Sequence, residues 1–216
     1  MLRFSLDGRA RRVLAIGCHA DDIEIGAGGT LLSLVAAQPE LEVTWVVLAA
    51  GGARAAEARR SAEAFVGGAR RLDLEVQSFR DGFLPYLGAE VKEFFERLKL
   101  EVDPDLILTH AADDLHQDHR LACELTWNTF RSHLILEYEI PKYDGDLGAR
   151  NVYVELSEET ARRKARLLRE HFPSQAEKHW FDEELFLGLL RLRGMEANAE
   201  SRYAEAFTCR KFVLGV

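Results

Sequence analysis

His19, Asp21 and Asp22 stand within four residues of one another, and a second polar cluster, Asp113, Asp114, His116, Asp118 and His119, follows much later in the chain. Neutral imidazole and carboxylate are ligand types that zinc accepts, and a catalytic zinc keeps one position for water. His19 and Asp22 are three apart, as are His116 and His119, and on a helix residues at i and i+3 share a face. His19, Asp22 and one histidine of the second pair would supply three protein ligands. Asp21 could then take a proton from the water as general base. The histidine that is not a ligand could stabilise the oxyanion or protonate the leaving amine, with Asp118 fixing its tautomer. That chemistry is metal-assisted hydrolysis of an amide or ester. The competing reading makes both loops plain helix starts, with Asp21 and Asp118 as capping carboxylates.

Each cluster follows a short apolar run, residues 13–16 and 106–109, that reads as a buried strand. Loops at the carboxyl ends of parallel strands line a crevice, which is where such clusters belong. Further strands are predicted over 43–49, 74–79, 134–140 and 152–156, with a closing edge strand over 212–214. Helices are predicted over 28–37, 54–66, around 91–98, over 120–130, after Ser157 as a cap, and over 181–193 with Gly194 as C-cap. Val91, Phe94, Phe95 and Leu98 recur at helical spacing. Strands alternating with helices imply an α/β fold, a mostly parallel sheet with helices on both faces. Residues 1–216 are read as a single domain, its helical C-terminal part adding walls to the site.

A chain of 216 residues, 47% hydrophobic and 30% charged, suits a soluble globular protein. No apolar run approaches the roughly 20 residues of a membrane span, and residues 1–12 have no apolar signal region, so a cytoplasmic location is expected. The net charge of −8 disfavours nucleic-acid binding. The basic run Arg162, Arg163, Lys164, Arg166 and Arg169 reads as a solvated helix face. Cys18, Cys123 and Cys209 are too few and too widely spaced for a disulfide framework or a cysteine zinc site.

His19-Ala20-Asp21-Asp22 with Gly28-Gly29-Thr30, together with His116-Gln117-Asp118-His119-Arg120, resembles the PIG-L/LmbE superfamily of zinc-dependent N-deacetylases. The similarity in motif order covers nearly the whole chain. It implies a Rossmann-like fold, a homo-oligomer, and removal of acetyl from an N-acetylglucosamine-type sugar or sugar conjugate. By the resemblance His19, Asp22 and His119 match the metal ligands and Asp21 the general base. His116 matches the histidine assisting at the oxyanion or leaving group, and Asp118 its partner. Arg54 and Asp81 resemble positions that bind sugar hydroxyls. The chain departs from the family in having Ala20 and Gln117 where proline is usual, and Ile23 where glutamate is frequent; none of these changes removes a ligand.

Zn2+ is the expected metal, although Fe2+ and other divalent ions also suit histidine and aspartate. Glu139, Lys142 and Asp146, in or beside the turn-rich 141–149 loop, could reach the pocket but read first as parts of a solvated loop, and His110, His133, His171 and His179 read as ordinary histidines. Two readings compete with the sugar deacetylase: a metal-dependent amidohydrolase on a non-sugar N-acyl substrate, and a non-catalytic nucleotide- or sugar-binding Rossmann-like domain. Against the nucleotide reading, Gly26, Gly28 and Gly29 do not form G-x-G-x-x-G directly after the strand, and acidic residues fill the turn where phosphate would approach.

Overall fold

Strands β1 (Arg12–His19) and β2 (Glu42–Ala49) send successive side chains to opposite faces of a sheet. Val13, Ala15, Val43, Trp45 and Val47 enter one core layer, and Leu14, Ile16, Cys18, Val46 and Leu48 enter the other. Burial on both faces is why these segments read as unbroken apolar runs. The computed structural model describes residues 3–6 and 8–214. It contains five further strands: β3 (Arg71–Val76), β4 (Leu106–His110), β5 (Leu134–Tyr138), β6 (Val152–Leu156) and β7 (Tyr203–Thr208). The seven lie in the order β3-β2-β1-β4-β5-β7-β6. Neighbours from β3 to β5 are parallel, and β7 runs antiparallel to both β5 and β6.

Helices α1 (Asp22–Ala37), α2 (Gly52–Val66) and α5 (Glu158–His171) pack together over the first layer. Helices α3 (Gly88–Glu101) and α4 (Gln117–Thr129) cover the second. Helix α6 (Glu183–Glu196) lies on β7. This is the expected Rossmann-like α/β arrangement with helices on both faces. Among the described residues no helix is long and apolar enough to cross a membrane.

The topology brings the two polar clusters together. The chain leaves β1 toward β2 on one side, while β4 pairs with β1 on the other. The strand order therefore reverses between β1 and β4, and the loops that follow these strands face one another across the crevice.

Several boundaries differ from the sequence reading. Helix α1 begins at Asp22, so the core expected over 28–37 extends back through the glycines, which sit inside a close-packed helix. Strand β3 covers 71–76, not 74–79: Leu72, Leu74 and Val76 alternate with charged residues on a half-exposed edge. The last strand of the chain is β7, which lies between β5 and the edge strand β6, whereas residues 212–214 are exposed and outside any strand. Gly194 lies within α6, where a Cβ would come 2.1 Å from the Arg202 carbonyl oxygen. Close approach of that backbone, not helix termination, requires glycine there. Ser157 does cap α5, its Oγ accepting the Thr160 N–H at 3.0 Å.

Candidate active site

Strand β1 ends on His19 and α1 begins at Asp22, so one tight turn must reverse the backbone. Gly17 allows the close approach, since a Cβ there would lie 2.9 Å from Ile23 Cγ1. Asp21 takes φ 129° and ψ −19°, a region that L-residues enter at a cost of roughly 1–3 kcal/mol and that clusters at functional sites. The Asp22 Oδ2 accepts the His19 backbone N–H at 2.7 Å. Its carboxylate also occupies the first turn of α1, the positive end of the helix.

Three donor atoms converge at this turn. His19 Nδ1 lies 3.3 Å from Asp22 Oδ2. His119 Nε2 lies 3.2 Å from His19 Nδ1 and 3.4 Å from Asp22 Oδ2. Tetrahedral zinc with bonds near 2.0–2.1 Å separates its ligands by about 3.3 Å, so this triangle has the size of one face of such a site. The other nitrogen of each imidazole meets a carboxylate. His119 Nδ1 is 2.9 Å from Asp114 Oδ2, and His19 Nε2 is 3.2 Å from Asp118 Oδ2 and 3.1 Å from Asp81 Oδ1. Carboxylates behind ligand histidines fix the ring orientation and raise ligand basicity. The donor set and its support fit a divalent metal.

The charges are mutually adjusted. Burial alone would raise the Asp22 carboxyl, but the imidazoles of His119, His19 and His110 hold it well below the usual carboxylate range. Burial works against protonation of His19, yet Asp22, Asp118 and Asp81 outweigh it and push the ring's pKa up. The Asp21 carboxyl is pushed up to about 6 by burial, with Arg54 opposing and Asp22 reinforcing the rise.

His116 sits edge-on to His19, with ring centroids 5.0 Å apart. It is the N-cap of α4, its Nδ1 accepting the Asp118 backbone N–H at 3.2 Å. In the neutral ring this leaves the proton on Nε2. Burial and the neighbouring His119 and His19 lower its pKa, favouring that neutral form. The Asp118 carboxylate does not meet the His116 ring as expected. It accepts the backbone N–H groups of Gly82 at 2.7 Å and Leu84 at 3.1 Å, and it faces His19. The reason is helical geometry: Asp118 lies on the inward face of α4, while His116 precedes the helix.

Asp81 is 76% exposed at the mouth, with one oxygen on His19. Arg54 is directed inward: Nη2 contacts Asp21 Oδ2 at 3.1 Å and the Ala20 carbonyl oxygen, and Nη1 contacts Glu57 at 3.1 Å. One site residue escapes the sequence reading, and another stands in the second cluster without an assigned role. His110, expected to be ordinary, is fully buried, stacked on His119 at 3.9 Å, and 3.2 Å from Asp22 Oδ2. Asp114 orients His119, and its Oδ2 is also 3.0 Å from Lys142 Nζ. Lys142 pairs in turn with Asp146, so the 141–149 loop is tied to the site rather than solvated there. Glu139 is turned away, binding Arg150 and Arg193 in a separate buried network.

No curated protein sequence matches the chain. Among solved structures, the N,N'-diacetylchitobiose deacetylase of Pyrococcus horikoshii is similar at 21% identity and a TM-score of 0.67, covering 94% of this chain and 84% of that one. The zinc-inhibited form of teicoplanin deacetylase Orf2 is similar at 16% identity and a TM-score of 0.70, covering 92% and 97%. GalB, the 4-carboxy-2-hydroxymuconate hydratase of Pseudomonas putida KT2440, is similar at 15% identity and a TM-score of 0.71, covering 95% and 98%. At these identities the likeness establishes the fold, and one fold hosts more than one reaction. The family described as PIG-L, GlcNAc-PI de-N-acetylase, matches residues 14–130, which include both polar clusters. With more than half of its length matched, the chain belongs to the PIG-L family.

Proposed function

We propose that the protein is a zinc-dependent hydrolase that removes the acetyl group from an N-acetylglucosamine-type sugar or sugar conjugate. The observation that carries this reading is the triangle of His19 Nδ1, Asp22 Oδ2 and His119 Nε2, with edges of 3.2–3.4 Å. These three residues would hold the metal. Bound there, zinc lowers the pKa of a water and polarises the acyl carbonyl. Asp21 takes the water's proton as the C–O bond forms, a role suited to a carboxyl raised to about 6. His116 Nε2–H faces the developing oxyanion, and the proton held by Asp21 passes to the leaving nitrogen as the C–N bond breaks, giving acetate and a free amine. Asp118 supports His19 from behind rather than touching substrate. Asp81 at the mouth is the proposed contact for sugar hydroxyls, while Arg54 is engaged by Asp21, the Ala20 carbonyl and Glu57.

The sugar-deacetylase reading is favoured by family membership together with the two deacetylases of similar fold. The hydratase of the same fold makes the choice of reaction depend on the site residues. The test combines metal analysis with acetate release from free, nucleotide-linked and lipid-linked N-acetylglucosamine. Zinc-dependent release, lost in Asp21→Ala with zinc still bound, is the expected result. Full activity in Asp21→Ala would remove the general-base assignment, and turnover confined to non-sugar N-acyl compounds would remove the sugar.

A further inference from the structure

Arg54 does not reach Asp21 unaided. Its Nη1 lies 3.1 Å from Glu57 Oε2 and 3.1 Å from Ser174 Oγ. Ser174 is in the turn that follows α5, on the far part of the chain from β1. Its backbone N–H donates to Glu57 Oε1 at 2.9 Å, and its hydroxyl donates to Glu57 Oε2 at 2.6 Å. That hydroxyl also accepts from Arg54 Nη1 and, at 3.2 Å, from Gln175 Nε2. One donor and two acceptor sites exhaust what a serine oxygen offers. Glu57 is only 3% exposed, and its carboxylate has partners on both oxygens.

A guanidinium is rigid and planar, so fixing one end fixes the other. Glu57 and Ser174 hold the Nη1 end. The Nη2 end then meets the two groups that define the strained turn, the Ala20 carbonyl and Asp21 Oδ2. Arg54 meets the Asp21 carboxylate at Oδ2, and the proposed proton goes to Oδ1. Phe172, in the same turn as Ser174, lies beneath the guanidinium at 5.6 Å.

We propose that Glu57 and Ser174 are positioning residues for Asp21, acting through Arg54 to hold its carboxylate and the positive-φ peptide in place. The proposal rests on the reading of Asp21 as general base. It makes the turn after α5 part of the catalytic apparatus, although that turn contributes no group to the chemistry.

The experiment uses Ser174→Ala, Ser174→Thr and Glu57→Gln in the zinc-loaded full chain, assayed with the N-acetylglucosamine derivative that the wild type turns over fastest. Crystal structures of the wild type and Ser174→Ala accompany it. Ser174→Ala and Glu57→Gln are expected to lower kcat by about ten- to a hundredfold, the scale of a small misplacement of a reacting group. KM and zinc per chain should stay at the wild-type level, and Ser174→Thr, which keeps the hydroxyl, should recover most of kcat. In the Ser174→Ala crystal Arg54 should leave Asp21 Oδ2. Unchanged kcat, a loss confined to KM, a loss tracking zinc content, or an unmoved Arg54 would each overturn the proposal. If Glu57→Gln does not fold, the Ser174 pair decides. Failure of the general-base reading would show separately, as full activity in Asp21→Asn.

Discussion

The Nδ1 of His119 lies 2.9 Å from Oδ2 of Asp114, and both residues are buried. His119 Nε2 is thereby turned toward His19 and Asp22. A carboxylate behind a ligand histidine typically contributes ten- to a hundredfold to metal affinity. Asp114→Ala is therefore expected to weaken zinc binding by about that factor, measured by competition with a chromogenic chelator. The fold should survive, since Asp114 lies in a loop. Unchanged zinc affinity would mean that His119 is oriented by packing against His110 and His116 alone.

Gly26 tests the packing of α1. Helix propensity alone would make Gly26→Ala stabilising by up to about 1 kcal/mol. The structure argues the opposite sign. A Cβ there would lie 2.1 Å from Cδ2 and 2.5 Å from Cγ of Tyr138. Tyr138 is fully buried and cannot swing away, because its hydroxyl donates to the Ile16 carbonyl at 2.6 Å. Overpacking of a tight core costs roughly 1–3 kcal/mol. Urea denaturation should show Gly26→Ala destabilised on that scale, and a more stable variant would refute the close-packing account of this glycine.

Glu205 of β7 and Lys164 of α5 form a buried ion pair against the backbone of the same helix. Its oxygens accept the N–H groups of Gly29 and Thr30, each at 2.7 Å, and one oxygen meets Lys164 Nζ at 2.6 Å. Lys164 also donates to the Ile25 carbonyl at 2.6 Å, the group that Gly29 N–H would face in an ordinary helix. The pair thus contacts both the donor and the acceptor of one helical position. Removing one partner strands a charge in the core, at about 3–5 kcal/mol. Glu205→Ala should lose that much in denaturant titration, and Glu205→Leu combined with Lys164→Met should lose clearly less. Equal losses in the two variants would show that the helix contacts, not the stranded lysine, dominate.

These contacts also mark the limit of what the residue pattern conveys. Apolar runs and the two His/Asp clusters were legible because strand periodicity and ligand spacing are local. The meeting of the clusters followed from a general property of parallel sheets. His110 was not legible: a histidine ending a buried strand has no spacing signature, and its partner, the Cys18 N–H at 3.0 Å, lies on another strand. The direction of the Asp118 carboxylate depended on a loop distant in sequence, through Gly82 and Leu84. Strand β7 carries no legible pattern, because it lies between β5 and β6 with both faces covered and so shows no alternation of buried and exposed residues.

Asp105 provides a pH test far from the site. It precedes β4 and clamps the start of β1: Oδ2 accepts the N–H groups of Arg11 at 3.0 Å and Arg12 at 2.9 Å, and Oδ1 meets the Arg12 guanidinium at 3.0 Å. Burial alone would raise its carboxyl pKa, but the Arg12 side chain and these backbone donors lower it below the ordinary value. A carboxyl depressed in the folded state stabilises the protein above its unfolded pKa, about 3.9 for aspartate. That contribution is lost as pH falls through the folded value. Because the group is partly exposed, solvent screening keeps the effect small, about 1 kcal/mol. Asp105→Asn should therefore be less stable than wild type by about that amount at neutral pH. The gap should narrow below about pH 4 and close once both forms carry an uncharged side chain. Urea titrations of the two proteins across that range measure it, and a gap independent of pH would assign the clamp to neutral hydrogen bonds rather than to the carboxylate charge.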